Sequence, residues 1–436
     1  MNRITTISIT VALAGFLFGF DTVVISGADE QLQALWKTTD FFHGTFIMSM
    51  ALWGTVLGAI FANYPCDKFG RKNTLIWIGI LYFVSAVGSG LAVDPYMFSF
   101  FRFIGGLGVG ASTVAAPTYV SEIAPSHQRG RLVALYQFNI VLGILMAFIS
   151  NFLLNDVGAQ PWRWMVGIEA LPALIYTILV VGVPNSPRWL LSKRGDIAGA
   201  RGVYLELHGK DFDPSLLDAQ QNETTGTSRF FSKAYKFPIL LAFLIAFFNQ
   251  LSGINAFLYY APRIFKSAGL DQSASLLSSI GIGVTNLLFT ILGVYLIDRL
   301  GRKTLMYFGS VGYIVSLTMV GLAFLFSWQG IIVPVFLFLF IASHAIGQGA
   351  VIWVFISEIF PTSLRAKGQS FGSSTHWVLA ALITLFMPVA LGSLANPGYV
   401  FLFFAIMMVF QLLFVALMMP ETKGVSLEKL QELLRR

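Results

Sequence analysis

The chain carries little charge and almost no cysteine. Only 11% of its 436 residues are charged, whereas soluble globular proteins carry about 25%. Cys66 is the single cysteine, so no disulfide can form within the chain. No CxxC pair occurs, and the five histidines lack zinc-ligand spacing. Composition therefore excludes an ordinary soluble protein and gives no sign of a metal site.

Apolar residues make up 56% of the chain, and the mean hydropathy is +0.74. A helix that crosses a bilayer needs about 20 consecutive apolar residues. Twelve such windows occur, at about 5–27, 43–63, 73–93, 96–119, 132–154, 163–183, 237–260, 274–297, 304–326, 331–356, 369–391 and 398–419. The alternation typical of membrane β-barrel strands is absent. The sequence predicts an all-α membrane protein with twelve transmembrane helices.

Basic residues indicate the orientation in the membrane. An even number of spans places both termini on one side, and most of the 28 lysines and arginines lie in connections on that side. The exceptions are Lys37, Arg163, Arg263 and Lys266 on the opposite side, and Arg102 inside the fourth span. Because basic loops stay inside, both termini are predicted to be cytoplasmic. The net charge of +7 then reflects topology, and we expect no nucleic-acid partner.

Three motifs of the first half recur in the same order in the second half. "DKFGRK" is matched by "DRLGRK", "SEIAP" by "SEIFP", and "PNSPR" by "PETKG", at nearly equal separations. This pattern predicts two parallel six-helix repeats, an arrangement of alternating-access transporters whose binding site lies between the halves. The predicted divisions are a first bundle at 1–184, a cytoplasmic helical linker at 185–236, a second bundle at 237–420 and a cytoplasmic tail at 421–436.

Charged residues of the recurring motifs lie at the predicted cytoplasmic ends of helices. They are Asp67, Arg71, Glu122 and Arg129 in the first half, and Asp298, Arg302, Glu358 and Arg365 in the second. Our hypothesis is a charge network that holds the cytoplasmic side shut. Individual surface ion pairs contribute little, so only a network can bias the equilibrium. The alternative is that these charges serve topology and helix capping alone.

These motifs, with "GFDTVVISGA", "RFIGGLGVG", "QLSGINAFLYYAP" and "WVFISEIFPTSLRAKG", resemble those of the sugar porter family of the major facilitator superfamily. The resemblance extends from residue 19 to residue 424. It implies the major facilitator fold and monosaccharide transport. Two positions depart from the family pattern: Asn185 stands where the first half usually has Glu, and Asn63 stands where a Gly is usual. Both departures concern the predicted inner gate.

A sugar site needs amide side chains, which donate and accept hydrogen bonds, and aromatic faces for the C–H surfaces of the ring. The resemblance implies that the sugar ligands are Gln137, Asn249, Gln250, Asn255, Asn286, Trp353, His376 and Trp377. Tyr259 and Tyr260 lie just outward of this site and are predicted to cover it, and Gly253 marks a possible helix break. The alternative for each amide is a structural bond between helices.

The stretch "LAGFLFGFDTVVISGA" places Asp21 in an apolar run, and Arg102 is the only cation inside a span. A charge in hydrocarbon is costly, so we expect the two to pair. Burial and a nearby guanidinium act in opposite senses on protonation of a carboxylate. The resemblance implies that a carboxylate at the position of Glu169 occurs in proton-coupled members. We therefore predict that Asp21, Arg102 and Glu169 couple protons to transport; a static structural pair is the alternative.

The predicted function is proton-coupled uptake of a hexose or pentose across the cytoplasmic (inner) membrane. A facilitative uniporter and a proton symporter of a polyol such as inositol remain open as alternatives. A membrane nutrient sensor is disfavoured because the tail is short. No nucleophile–base constellation or nucleotide motif suggests an enzyme. The expected partners are a monosaccharide, the proton and the lipid bilayer, and we expect a monomer without cofactor or metal.

Overall fold

The structure is a computed structural model that describes residues 3–125, 128–209, 230–328, 331–425, 429–430 and 434. The side chains of Arg129, Thr362 and Ser363 are also outside this description. The polar stretch 219–229 of the predicted linker therefore lies outside the described residues, as does half of the predicted tail.

Within the residues that the structure describes, twelve helices are long and apolar enough to cross a membrane, which confirms the predicted all-α membrane fold. In chain order, spans 1 to 12 are Arg3–Trp36, Asp40–Phe61, Arg71–Gly90, Pro95–Ile123, Gly130–Leu154, Pro161–Val181, Lys233–Ser267, Gln272–Leu300, Arg302–Leu325, Ile332–Ile359, Leu364–Ser393 and Gly398–Leu417. The protein is a multi-pass membrane protein.

Polar residues at the span ends explain where several helices begin. Asp94 precedes span 4, and its carboxylate accepts hydrogen bonds from the backbone N–H groups of Tyr96 and Met97 at 2.9 and 3.0 Å. Asp271 caps span 8 in the same way, through the N–H of Ala274 at 2.8 Å. Both caps satisfy N–H groups that a helix start leaves unpaired, so they fix the register at which the apolar segments begin.

Four spans are interrupted inside the apolar region. Spans 2 and 10 contain π-helical turns at His43–Met48 and Ala345–Gly349. Span 6 consists of Pro161–Gly167 and Ala170–Val181, with Glu169 at the junction. Span 7 ends its first helix at Leu251, and Gly253 adopts φ +85° before the second helix begins at Ile254. Such interruptions often mark functional sites, because they re-aim side chains and free backbone groups.

The described chain forms two compact units. The first comprises Met1–Lys37 and Phe46–Asn222, and the second comprises Thr38–Thr45 and Glu223–Arg436. Within the first unit, glycines bring spans 1 and 5 close together: a Cβ at Gly143 would collide with the carbonyl oxygen of Phe16. Small residues at helix contacts allow this close packing in membranes.

Two short helices follow span 6 in the first unit, at Pro187–Arg194 and Ile197–His208. Ser186 and Asp196 cap them through side-chain oxygens. Trp189, Leu190 and Ala200 form a small buried cluster between them. Lys193, Arg194 and Arg201 of these two helices are exposed, so these basic residues lie on the outer face of the helical pair.

Candidate functional site

A buried ion pair joins spans 1 and 4 of the first unit. Arg102 donates from Nη1 to Asp21 Oδ1 at 2.5 Å and from Nη2 to the backbone oxygen of Asp21 at 3.0 Å. Both residues are 1% exposed. The guanidinium thus offsets the burial of the carboxylate, and the structure brings together the two charges that the sequence predicts to pair.

Glu169 adds a second carboxyl group to this pair. It lies at the junction of the two helices of span 6, is 1% exposed, and its Oε1 atom has no hydrogen-bond partner within the described residues. Its carboxyl group lies near Asp21 and Arg102, so the three side chains interact electrostatically. We call Asp21, Arg102 and Glu169 the acid–base trio: one buried cation faces two buried carboxyl groups.

Spans 3 and 4 pack closely against each other next to the trio because residue 105 is glycine. A Cβ at Gly105 would collide with Ser85 Oγ and lie 3.5 Å from Asp21 Oδ1. Ser85 Oγ is buried and has no hydrogen-bond partner in the described part of the chain. The motif "RFIGGLGVG" therefore supplies both the cation and the close approach.

The second unit contains a cluster of amides around Gln250. Gln250 Nε2 donates to Asn249 Oδ1 at 2.9 Å, and Asn255 Nδ2 donates to Gln250 Oε1 at 2.8 Å. The three residues are 2%, 0% and 7% exposed for Asn249, Gln250 and Asn255, respectively. They flank the break at Gly253, where the left-handed backbone turns the second helix of span 7. The break explains why side chains five positions apart can bond.

Aromatic rings border these amides. Both ring nitrogens of His376 lie 3.1–3.2 Å from Gln250 Nε2. The His376 ring lies 5.3 Å from that of Trp353 and 4.6 Å from that of Trp377, between centroids. The structure therefore brings together six of the residues predicted as sugar ligands: Asn249, Gln250, Asn255, Trp353, His376 and Trp377. Amides beside indole rings have the chemistry that a sugar site needs.

The remaining two predicted ligands are Asn286 and Gln137. Asn286 is buried in span 8, where its Oδ1 accepts a hydrogen bond from Thr290 of the same helix at 3.5 Å. No hydrogen bond in the described part of the chain joins Asn286 to the amide cluster around Gln250. Gln137 is half-buried in span 5 and belongs to the first unit. The role of both as ligands remains a prediction.

Tyr259 and Tyr260, the predicted cover, are 1% and 0% exposed. The hydroxyl of Tyr260 donates to the backbone oxygen of Thr384 in span 11 at 2.9 Å. Tyr260 also departs from helical geometry, so span 7 is kinked there as well as broken at Gly253. A hydroxyl anchored to a neighbouring helix ties the second half of span 7 to span 11. Its role as a gate remains a prediction.

The prediction missed two buried amides, Gln348 and Gln411. Gln348 lies in the π-helical turn of span 10, receives a hydrogen bond from Asn249 at 3.4 Å, and donates to Gln411 of span 12 at 2.8 Å. Both are 0% exposed. Their position inside apolar windows was a usable signal, because polar side chains in spans usually face the protein interior.

The charged motif of the first unit forms one network. Arg71 donates to Asp67 at 3.1 Å, to Glu122 at 3.0 Å and to the backbone oxygen of Cys66 at 2.9 Å. The network also receives Lys193 of the short helix after span 6, which pairs with Asp67 at 2.9 Å. The side chain of Arg129, predicted to belong here, lies outside the described residues.

The second unit repeats this arrangement. Arg302 donates to Asp298 at 3.0 Å and to Glu358 at 2.8 Å. Thr422 Oγ1 donates to the other oxygen of Glu358 at 2.6 Å. Arg365, the remaining predicted member, has a buried Nε atom without a hydrogen-bond partner within the described chain. The repeated motifs therefore build two similar networks, one in each unit.

Glu421 of the second half corresponds to Asn185 of the first half, which has no carboxylate. The Glu421 carboxylate accepts hydrogen bonds from the backbone N–H groups of Arg302 and Lys303, each at 3.0 Å, and so caps span 9. Asn185 occupies the matching place in "PNSPR". The indole of Trp189 covers Gly70 at the start of span 3. Because Glu421 caps a helix, we infer that the charge absent at Asn185 is also a helix-capping charge. From sequence alone, this departure is instead connected with the ion pairs of the predicted inner gate.

The twelve spans, the repeated networks and the buried acid–base trio define a membrane transporter of the major facilitator superfamily. A family model described as "Sugar (and other) transporter" matches residues 7–434. The chain belongs to this sugar porter family.

Individual relatives agree with this assignment. The chain is 34% identical to the arabinose-proton symporter of Bacillus subtilis (strain 168), over 99% of this chain and 95% of that protein. It is 31% identical to the D-xylose-proton symporter of Escherichia coli (strain K12), over 99% and 96%, respectively. A solved structure titled as the inward open conformation of the xylose transporter XylE from E. coli has a TM-score of 0.86 and 31% identity, and covers 99% of this chain and 100% of that chain.

Proposed function

We propose that this protein couples the entry of a proton to the uptake of a monosaccharide, a hexose or a pentose, across the cytoplasmic membrane by alternating access. The observation that carries this proposal is the acid–base trio of the first unit. A transporter that only binds sugar has no need of three buried ionisable side chains, whose burial in a membrane is expensive.

The charges of the trio explain how it holds and releases a proton. One guanidinium balances one carboxylate, so a second buried carboxylate leaves an uncompensated charge unless a proton binds to one of the two. The shared proton then makes the trio neutral. When a change of conformation moves Arg102 away from Asp21, the Asp21 carboxylate needs a new partner, and a proton from outside supplies it. When the pair forms again, the proton leaves on the other side.

The amide cluster of the second unit is the proposed monosaccharide site. Gln250, Asn255 and His376 present hydrogen-bonding groups, and Trp353 and Trp377 present apolar faces. The combination suits a ring with hydroxyls at its edge and C–H groups on its faces. Relatives named as arabinose-proton and D-xylose-proton symporters support this class of substrate. Asn286 and Gln137 are proposed as further ligands, on the basis of family resemblance.

We propose that both termini are cytoplasmic, because the connections on their side carry most of the lysines and arginines, and such residues collect in cytoplasmic loops. On this assignment the networks around Arg71 and Arg302 lie at the cytoplasmic ends of their helices. We propose that they stabilise the state that is closed to the cytoplasm. Each network joins one arginine to two carboxylates, so it offers more stabilisation than isolated surface pairs.

Replacement of Asp21 by Asn tests the coupling. In proteoliposomes with purified protein, we expect sugar-dependent alkalinisation of the medium and proton-driven accumulation to disappear, while exchange of labelled sugar for unlabelled sugar continues. The control is Asp156→Asn, because Asp156 lies in an exposed turn of the same unit. Accumulation by Asp21→Asn at the wild-type level would refute the proposal.

A facilitative uniporter is the main competing function. It would equilibrate sugar without moving protons, and its transport would be insensitive to a protonophore. A proton symporter of a polyol such as inositol is the second. A panel of pentoses, hexoses and inositol competing against labelled xylose and glucose, with and without protonophore, separates all three.

A further inference from the structure

The amides of the proposed sugar site are one end of a longer hydrogen-bonded chain. We call it the amide chain; its members are Asn255, Gln250, Asn249, Gln348, Gln411 and Ser310. It runs from span 7 through spans 10 and 12 to span 9. All six residues are buried, at 7% exposure or less. Three of its members, Gln348, Gln411 and Ser310, have no role in the site as described above.

Every bond of the amide chain runs in the same sense. Asn255 donates to Gln250, Gln250 to Asn249, and Asn249 to Gln348, at 2.8, 2.9 and 3.4 Å. Gln348 donates to Gln411 at 2.8 Å, and Gln411 donates to Ser310 Oγ at 2.8 Å. A side-chain amide has its oxygen on one branch and its nitrogen on the other, so the sense of one bond fixes the sense of the next.

Two backbone carbonyl oxygens, which can only accept, fix this sense. The Ser310 hydroxyl donates its single hydrogen to the carbonyl of Met306 at 2.7 Å, so its oxygen is left to accept from Gln411. Gln348 Nε2 also faces the carbonyl of Ile245 at 3.4 Å. Reversal of either amide would place an oxygen against an oxygen or leave a buried N–H unpaired. An unpaired buried polar group costs about 1–3 kcal/mol.

The fixed sense determines which atoms remain for a ligand. Gln250 uses its oxygen for Asn255 and one N–H for Asn249, and its other N–H faces His376. Asn255 donates to Gln250, so its Oδ1 remains as an acceptor. The amide chain therefore presents an acceptor at Asn255, and a hydroxyl that meets it must donate its hydrogen.

We propose that Gln348, Gln411 and Ser310 are positioning residues for monosaccharide recognition: they fix the amide orientations of Gln250 and Asn255 and thereby require a donating hydroxyl on the sugar. This inference rests on the proposed function. It extends the specificity of the site to side chains that lie two to four hydrogen bonds from Gln250.

Fluorinated sugars test the inference, because a C–F group cannot donate a hydrogen bond. The variants are Ser310→Ala, which removes the acceptor that orients Gln411, and Gln411→Met, which breaks the amide chain. The matched control is Ser316→Ala. Ser316 lies on the same span, is equally buried, and donates only to backbone carbonyls, those of Gly312 and Tyr313 at 2.7 and 3.2 Å.

The measurement is the inhibition constant of the best monosaccharide of the panel, compared with each of its monofluoro derivatives. Wild type and Ser316→Ala are expected to bind one derivative about 3- to 10-fold less tightly than the parent sugar, the range set by one hydrogen bond. In Ser310→Ala and Gln411→Met only the longer contact of Gln348 Nε2 with the carbonyl of Ile245, at 3.4 Å, still orients the amides. We expect this contact to be too weak to hold them, so that the ratio falls below about 2-fold.

Retention of the wild-type ratio by Ser310→Ala would overturn the inference. This variant removes only one oxygen atom, so it still tests the inference if Gln411→Met does not fold. A loss of the ratio in Ser316→Ala would also overturn it, because packing would then explain the effect. A wild-type protein that binds no monosaccharide of the panel would contradict the proposed function instead.

Discussion

Removal of Arg102 should destabilise the protein more than removal of Asp21. In Arg102→Met, two buried carboxyl groups lose the cation that faces both of them. Breaking a buried pair from one side costs about 3–5 kcal/mol. In Asp21→Asn, the guanidinium keeps Glu169 as a nearby carboxylate, so we expect a loss of about 1.5–3 kcal/mol, the scale of hydrogen bonds to a charged group. The geometry therefore predicts an asymmetry between the two partners of the pair.

Thermal unfolding in detergent, followed by tryptophan fluorescence, measures this asymmetry. For a unit of roughly 200 residues, 1 kcal/mol corresponds to about 2–4 °C, so Arg102→Met should lower Tm by about 6–20 °C. The double variant Asp21→Asn/Arg102→Met should recover part of the loss.

The control for this cycle is Arg163→Met. Arg163 is half-buried in the same unit and donates to a backbone carbonyl, that of Gly90 at 2.9 Å. We expect its replacement to cost about 1 kcal/mol. A larger loss for Asp21→Asn than for Arg102→Met would refute the assignment of Glu169 as a second partner of the guanidinium.

Three further outcomes follow from the structure. Gly253→Ala places a methyl group 2.8 Å from the ring of Phe404, at a residue whose φ of +85° disfavours alanine. We expect the free energy of unfolding to fall by about 1–3 kcal/mol and sugar uptake to slow, as measured by Tm and initial rates. Wild-type values would contradict the role of the break. Burial raises the pKa of Cys66 to about 11 from 9.0, so maleimide labelling at pH 7.5 should be about 100-fold slower than for a free thiol. The Arg71 guanidinium lowers this pKa, so labelling should slow further in Arg71→Gln; rapid labelling of wild type would contradict this. Glu421→Gln removes the charge at the start of span 9 and should lower stability by about 0.5–1 kcal/mol in the same unfolding assay; an unchanged Tm would show that the cap contributes nothing.

The number and type of spans were predictable from sequence because hydrocarbon thickness sets helix length. The pairing of Asp21 with Arg102 was also predictable, since the one cation inside the apolar windows has only two carboxylates there, Asp21 and Glu169, as possible partners. The networks around Arg71 and Arg302 followed from the repeat. These inferences use composition and spacing alone. Each depends on which residues occur in an apolar segment or a repeated motif, and none needs the rotation of a helix about its axis.

The remaining features depend on how helices rotate about their axes. Gln348 and Gln411 stood in apolar windows, yet nothing in their spacing tells which of several polar residues face each other. The π-helical turn at Ala345–Gly349 shifts Gln348 in a way that a regular 3.6-residue period does not anticipate. Likewise, the pairing of Lys193 with Asp67 joins a short helix after span 6 to the connection between spans 2 and 3, a contact without a local sequence signal.

The accumulation ratio under an imposed pH gradient tests the proton coupling most directly. Proteoliposomes with the membrane potential held at zero receive labelled sugar, and the inside pH is set one unit above the outside pH. One pH unit is 1.36 kcal/mol, so a transporter that moves one proton per sugar should concentrate the sugar about tenfold. A ratio of about one at steady state, with rapid exchange still present, would contradict proton-coupled transport and leave a uniporter.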